Sequence, residues 1–156
     1  MCIVKLVKPS NPILHKRCKP IPKNANMLRV YPKIDQAMVV MLNNNGLGIA
    51  APQVGIDKQF FIAVVEGKKG KLKAQVFINS KIIGHSEETA VSEERCLSYP
   101  GTKIAVERWC EIVLEYWDIN MKLQRNMYKG LDAAIIQHEH DHLQGITIMD
   151  KKDSAR

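Results

Sequence analysis

Hydrophobic and polar positions change period along this chain, from about 3.6 to 2 and back again. Over "YPKIDQAMVVMLNNNG" the apolar residues Ile34, Met38, Met41 and Leu42 share one helical face. Pro32 suits a first turn, and Asn43 to Gly46 supply a stop. "KQFFIAVV" and "KAQVFINSKIIG" read as strands separated by turn residues. "RWCEIVLEYWDI" alternates, with Cys110, Ile112, Leu114 and Tyr116 on one face and Trp109, Glu111, Val113, Glu115 and Trp117 on the other. "MKLQRNMY" is a further strand after a tight turn near Asp118–Asn120. "GLDAAIIQHEHDHL" returns to the helical period, with Leu131, Ala134, Ile135, His138 and His142 on one face and Gly145 beyond its end. The order helix, antiparallel strands, helix predicts an α+β protein: antiparallel β-sheets around a central C-terminal helix, with an N-terminal helix.

Two segments fit neither period. Residues 8–33 carry Pro9, Pro12, Pro20, Pro22 and Pro32 and read mostly as extended loop. "GLGIAAPQVG" is too rich in glycine, with a proline, to be a deep helix. No internal repeat, low-complexity tract or linker breaks the chain, so residues 1–156 are expected to form a single domain.

Composition narrows the class. Hydrophobic residues are 46% and charged residues 25%, the balance of an ordinary soluble globular protein. No apolar run reaches the roughly 18 residues needed to span a membrane, and the N-terminus has neither the apolar block of a secretory signal nor the look of a transit peptide. A cytoplasmic protein without a membrane partner is expected. The four cysteines, Cys2, Cys18, Cys96 and Cys110, form no C-x-x-C pair, which argues against a zinc knuckle; a disulfide framework does not suit this setting. The net charge of +7 would suit RNA-rich surroundings such as a ribosome. A solvated surface with a positive bias is the simpler reading, because aromatic and basic residues do not interleave as in single-strand binders; no specific nucleic acid is expected.

The chemistry concentrates in "IIQHEHDHLQG", residues 135–145. At about 100° per residue, His142 lies about 40° from His138 and one turn along, while His140 lies about 200° away. His138 and His142 can therefore hold one metal ion, and His140 is left as an exposed or supporting residue. Glu139 completes an H-E-x-x-H pattern, which puts a carboxylate beside the first ligand, where it can take a proton from an activated water and pass it to a leaving group. Asp141 reads as a structural carboxylate, with Arg108 the candidate cation.

Two histidines do not complete a catalytic site, which wants three protein ligands. Only 14 residues follow His142, and none is His or Glu, so the third ligand is sought upstream among the cysteines. Cys2 is terminal. Cys18, in "HKRCKP", reads as a surface or loop thiol. Cys110 falls on an apolar strand face, where a small buried thiol is ordinary. Cys96, in "SEERCLSYPG", reads as part of a polar loop before a Pro-Gly turn, and loops carry sites more often than strand interiors do. Spacing alone favours Cys96 without excluding the others. A thiolate with two imidazoles suits Zn²⁺ or Fe²⁺.

Three segments in this order carry a resemblance: "GLGIAAPQ" (46–53), "EERCLS" (93–98) and "QHEHDHLQG" (137–145). They are similar to the signatures G-x-G-(I/L)-A-A-x-Q, E-G-C-L-S and Q-H-E-x-D-H-L-x-G of peptide deformylases. That family removes the formyl group from the formyl-methionine that begins nascent bacterial-type polypeptides. The resemblance implies Cys96, His138 and His142 as ligands of one divalent metal ion, Fe²⁺ in the cell with Zn²⁺ or Ni²⁺ also accepted. It implies Glu139 as general base and then acid, and Gln53 with the backbone N–H of Leu97 as donors to the formyl oxygen. It also implies that the segment holding Leu47, Gly48 and Ile49 pairs with the substrate like a strand. Leu131, Ala134, Ile135 and Leu47 are candidate walls of the methionine pocket, although plain core packing would explain them equally.

Two features depart from the family pattern. Arg95 stands where the second signature has glycine. If that position needed a positive φ, a non-glycine residue would cost of order 1 kcal/mol; otherwise a long cation stands beside the site, where it could contact substrate. The chain also ends 11 residues after Gly145, where bacterial relatives continue into a helix associated with ribosome docking. This short end resembles compact, phage-encoded forms. The expected partner is the nascent formyl-Met chain, with the ribosome a further candidate, and the expected state is a monomer. Two alternatives come from other classes. An H-E-x-x-H endopeptidase lacks its downstream ligand here, and a non-catalytic metal-binding protein leaves Glu139 without a task.

Overall fold

The computed structural model describes residues 4–155. Cys2 lies outside them. Two α-helices, α1 (Tyr31–Asn43) and α2 (Gly130–Leu143), accompany seven strands: β1 (Gly48–Ala50), β2 (Phe60–Glu66), β3 (Leu72–His85), β4 (Thr89–Cys96), β5 (Tyr99–Trp109), β6 (Glu111–Trp117) and β7 (Leu123–Lys129). Five strands make an antiparallel sheet in the order β1-β2-β3-β6-β7, and β4 and β5 form a separate hairpin. The fold is α+β.

β2 explains how the layers stack. Phe60 and Ile62 face a core built with Ile34, Ala37, Val40 and Met41 of α1. Phe61, Ala63 and Val65 face the opposite way, into a second core with Ala133, Ile136 and Leu143 of α2 and Phe77, Ile112, Leu114 and Tyr116 of the sheet. A strand sandwiched between two helices is buried on both faces, so it reads as the unbroken apolar run "FFIAVV" rather than as an alternation. Burying each such side chain contributes roughly 1.5–3 kcal/mol. β6 behaves as its alternation predicts: Ile112, Leu114 and Tyr116 are buried and their neighbours half-buried.

Several sequence expectations are corrected here. The buried face of α1 is Ile34, Ala37, Val40 and Met41; Leu42 is 60% exposed, because the face drifts toward the 37/40/41 side of the helix. The segment from Arg108 to Ile119 is not one strand. The chain bends at Cys110, which ends β5, starts β6 and leaves that thiol half-buried. Cys18 is no surface thiol. It is 3% exposed, its backbone N–H donates to the Leu143 carbonyl at 2.9 Å, and burial pushes its thiol up to about 11.

Those contacts belong to the proline-rich N-terminal segment, which wraps the rest. Asn79 holds the Ile21 backbone from both sides, at 2.8 and 2.7 Å, and the Val7 N–H donates to the Gln53 carbonyl at 2.9 Å. Gly145 lets this segment close over the end of α2. Its φ is +76°, and a Cβ there would lie 2.7 Å from the Lys16 backbone. No helix among the described residues is long and apolar enough to cross a membrane.

Candidate metal and substrate site

α2 runs beneath the β4–β5 hairpin and against β1, and the site forms where these three meet. Cys96 is not in a loop. It is the last residue of β4 and is 6% exposed. The polar sequence around it hid the strand, because the hairpin buries only alternate residues of β4. One ligand atom each from Cys96, His138 and His142 lies within 4.8 Å of the others, and Cys96 Sγ is 3.4 Å from His142 Nε2. One helix contributes both histidines and a strand end contributes the thiol, as one turn of separation allows. His140 points away, its Nδ1 2.8 Å from Ser80 Oγ.

The set fits a borderline-soft divalent ion. Three soft or borderline donors converge, and His142 has a buried Nδ1 without a hydrogen-bond partner among the described residues. Burial pulls the His142 pKa well down, keeping its imidazole neutral, as a ligand must be. His138 is fixed from behind. Its Nδ1 donates to Glu94 Oε2 at 2.9 Å, which turns Nε2 toward Cys96. Burial alone would lower its pKa, but the hydrogen bonds to Cys96 and Glu94 push it up to about 10, so a metal bound at Nε2 would take the place of a proton.

Glu94 anchors a buried charge chain. Arg108 Nε and Nη2 grip its two oxygens at 2.8 Å each, and Arg108 Nη1 reaches Asp141 Oδ2 at 2.6 Å. The Arg108–Asp141 pair expected from sequence is therefore formed. Burial alone would raise the Glu94 pKa, but the Arg108 and His138 hydrogen bonds outweigh it and hold the carboxyl down at about 2. The sequence reading missed Glu94. Its signal was the strand period, since Glu94 stands two residues before Cys96 and shares its face.

Glu139 lies beside this group, with its Oε1 4.0 Å from His138 Nε2 and its Oε2 buried without a hydrogen-bond partner among the described residues. Burial pushes its pKa up to about 7, where a carboxyl can both take and return a proton. Gly48 of β1 makes room for it: a Cβ at that position would sit 2.8 Å from both Cγ and Cδ of Glu139. Gln53 occupies a single turn of 3₁₀ helix, Ala51–Val54. Its Oε1 accepts from the Ala50 N–H at 2.8 Å, so its amide N–H faces Ser98 Oγ at 3.1 Å and Cys96 Sγ at 3.5 Å.

A cavity of about 660 Å³ opens over this group. Leu47, Gly48, Gln53, Cys96 and Leu97 line it, with Leu131, Ala134, Ile135, His138 and Glu139 of α2. Ile49 is the exception among the expected substrate contacts. Its side chain is fully buried in the α1 core, because alternation along β1 turns it away from Gly48. β1 is an edge of its sheet, and β4 pairs only with β5, so two strand edges flank the cavity. The backbone at Arg95 is outside the left-handed region, so that position does not require glycine.

An H-E-x-x-H helix, a thiol from a strand end and an apolar cleft between strand edges together define a metallohydrolase of extended peptides. Comparison makes the assignment specific. The family described as polypeptide deformylase matches residues 3–156, and the chain belongs to that family. It is 35% identical to the peptide deformylase of Thermotoga neapolitana over 146 residues, 94% of this chain and 85% of that one. The class I type b peptide deformylase of Acinetobacter baumannii, solved with Met-Ala-Ser bound, superposes with a TM-score of 0.86 at 32% identity, covering 96% and 98% of the two chains. A probable peptide deformylase from Synechococcus phage S-SSM7 superposes with a TM-score of 0.87 at 29% identity, covering 95% and 99%. The reaction is hydrolysis of the formyl amide at the formyl-methionine of nascent polypeptides.

Proposed function

We propose that Cys96, His138 and His142 hold the single metal ion and that the surrounding side chains carry the deformylation. The observation that carries this reading is the convergence of those three ligand atoms within 4.8 Å, beside a buried and unpartnered carboxylate oxygen of Glu139. A thiolate with two imidazoles accepts Fe²⁺, Zn²⁺ or Ni²⁺; Fe²⁺ in the cell is the assignment that membership of the deformylase family supports. When bound, the ion supplies Lewis acidity and an activated water nucleophile.

The protein groups then have separate tasks. Glu139 accepts the proton released at the nucleophile and delivers it to the departing amine of methionine. Gln53 Nε2 and the Leu97 backbone N–H donate to the formyl oxygen as negative charge grows on it. One such donor is typically worth about 3–4 kcal/mol of barrier. Gln53 suits this because the Ala50 N–H and Ser98 Oγ already fix its amide, and the Nε2–H now directed at Cys96 Sγ is the one given to the formyl oxygen as charge develops. Arg108 and Glu94 orient His138 without touching substrate.

The substrate backbone lies between the β1 and β4 edges, which gives affinity without reading sequence. Leu131, Ala134 and Ile135, with Leu47, form the wall against the methionine side chain. The whole chain acts as one catalytic domain and as a cytoplasmic monomer; a dimeric mass in light scattering would contradict the last point. The net charge of +7 favours the ribosome as a docking partner, and co-sedimentation that does not weaken with rising salt would count against it.

The direct test is formate release from formyl-Met-Ala-Ser by anaerobically prepared protein. Glu139→Gln is expected to retain one equivalent of metal and lose 10²- to 10⁴-fold in kcat, the range for a lost general acid–base. Unchanged turnover refutes the assigned base. Cleavage at internal peptide bonds would instead favour an endopeptidase.

A further inference from the structure

The cavity rim carries one charge that the hydrolysis does not use. Arg95 is exposed, lines the cavity and precedes Cys96 on β4. No hydrogen bond or ion pair engages its side chain among the described residues. The acid on the same strand face, Glu93, is paired with Lys103 at 2.7 Å and feels the Arg95 charge only as a smaller through-space effect, and the next acid, Glu94, is buried and held by Arg108 and His138. Alternation turns Arg95 away from Cys96 and Glu94, which face α2. Opposite it, the partner strand departs from regular pairing: the register passes from Glu94↔Ile104 to Cys96↔Tyr99, so β5 bulges over residues 100–103 and Arg95 has no regular cross-strand partner. A guanidinium without an ion-pair partner among the described residues therefore stands on the cavity rim, one strand position from Cys96 and beside the course proposed above for a bound peptide.

Resting on the deformylase reading, we propose that Arg95 is a specificity-determining residue: it selects formyl-Met chains with a carboxylate side chain at the first or second residue after methionine. The reaction centre itself reads only the formyl-methionyl unit, and pairing to strand edges is blind to side chains. A charge on the rim adds a preference at low cost. Its contribution is uniform binding, equal in ground and transition states, so it changes KM and leaves kcat alone. Exposed ion pairs are weak, and a lysine in the same place is repelled. Together these give an acid-over-lysine preference of about three- to tenfold in kcat/KM at low salt.

The test compares formyl-Met-Asp-Ser with formyl-Met-Lys-Ser, and formyl-Met-Ala-Asp with formyl-Met-Ala-Lys, against neutral formyl-Met-Ala-Ser. In the wild-type protein at least one pair is expected to favour the acid through KM, and the preference to fade at high salt. Arg95→Gly should abolish it, Arg95→Lys should keep most of it, and Arg95→Glu should invert it. Calorimetric affinities of the deformylated products Met-Ala-Asp and Met-Ala-Lys should follow the same order without turnover. Equal acid-to-lysine ratios in wild type and Arg95→Gly at both positions overturn the proposal. No turnover of formyl-Met-Ala-Ser by the wild-type protein overturns the deformylase reading instead.

Discussion

Replacing Gly48 by alanine adds a single methyl group, yet the structure places that methyl inside the reaction centre. The backbone there lies outside the left-handed region, so alanine brings no backbone strain of its own. The conflict is with Glu139. The new Cβ would lie 2.8 Å from Cγ and Cδ of that side chain, and closer still to Oε1. Carbon atoms in contact normally sit about 3.5–4.0 Å apart, so the carboxylate must retreat by roughly 1 Å. It has little room, being only 4% exposed, and β1 is held in register against β2.

A displacement of about 1 Å in a catalytic group can cost 10²-fold in rate, which is about 2.7 kcal/mol of barrier. Gly48→Ala is therefore expected to lose about 10²-fold in kcat on formyl-Met-Ala-Ser. Bound metal should stay at one equivalent, because none of the three ligand side chains is among the nearest contacts of the added methyl. The control is Gly84→Ala, whose Cβ would meet only Val113 at an ordinary 3.7 Å and should leave kcat intact. A fully metallated Gly48→Ala protein with kcat within threefold of wild type would refute the assigned position and role of Glu139.

Two further predictions concern the charge chain behind His138. Arg108→Met removes the cation shared by buried Glu94 and Asp141 and should destabilise the protein by about 3–5 kcal/mol in urea titrations; a loss under 1 kcal/mol would show that the chain is solvated in practice. The second is acid sensitivity. Glu94 is held at about 2 against an ordinary 4.5, so the unfolded chain takes up its proton first. Its stabilisation is complete above about pH 4.5 and disappears as pH falls toward 2. After allowance for residual solvent screening it is worth about 2 kcal/mol. Glu94→Gln should flatten the stability profile in that window, and an equally steep profile in the variant would assign the acid sensitivity to other groups.

The site was more legible in sequence than the fold around it, for a physical reason. His138, Glu139 and His142 sit on one helix, so their relation follows from helical geometry alone. Cys96 needed elimination and resemblance, since which strand comes to lie over a helix is decided by tertiary packing. β4 and β5 escaped detection because their hairpin buries few residues: on β4 only Glu94 and Cys96, so no apolar alternation marks it. Glu94 was overlooked for a related reason, as a charged residue in a polar stretch reads as solvated until its partners are known. Ile49 went the other way. Its neighbours suggested a binding segment, but strand alternation gave its side chain to the core.

The same geometry explains why an H-E-x-x-H helix here serves a terminal group rather than internal peptide bonds. The proposed third ligand, Cys96, is the last residue of β4, so the hairpin would cover the side of a bound ion facing Cys96. Glu139 fills the space under Gly48, and Gln53, held by Ser98 behind it, lines the cavity beside the thiol. In the proposed pose a peptide lies along the β1 and β4 edges, and a chain extending past the scissile amide would have to continue into the buried Gln53 and Glu139. A formyl group ends at that amide and needs no further room. Gln53, proposed to orient the formyl oxygen, would therefore also limit the substrate to chain termini.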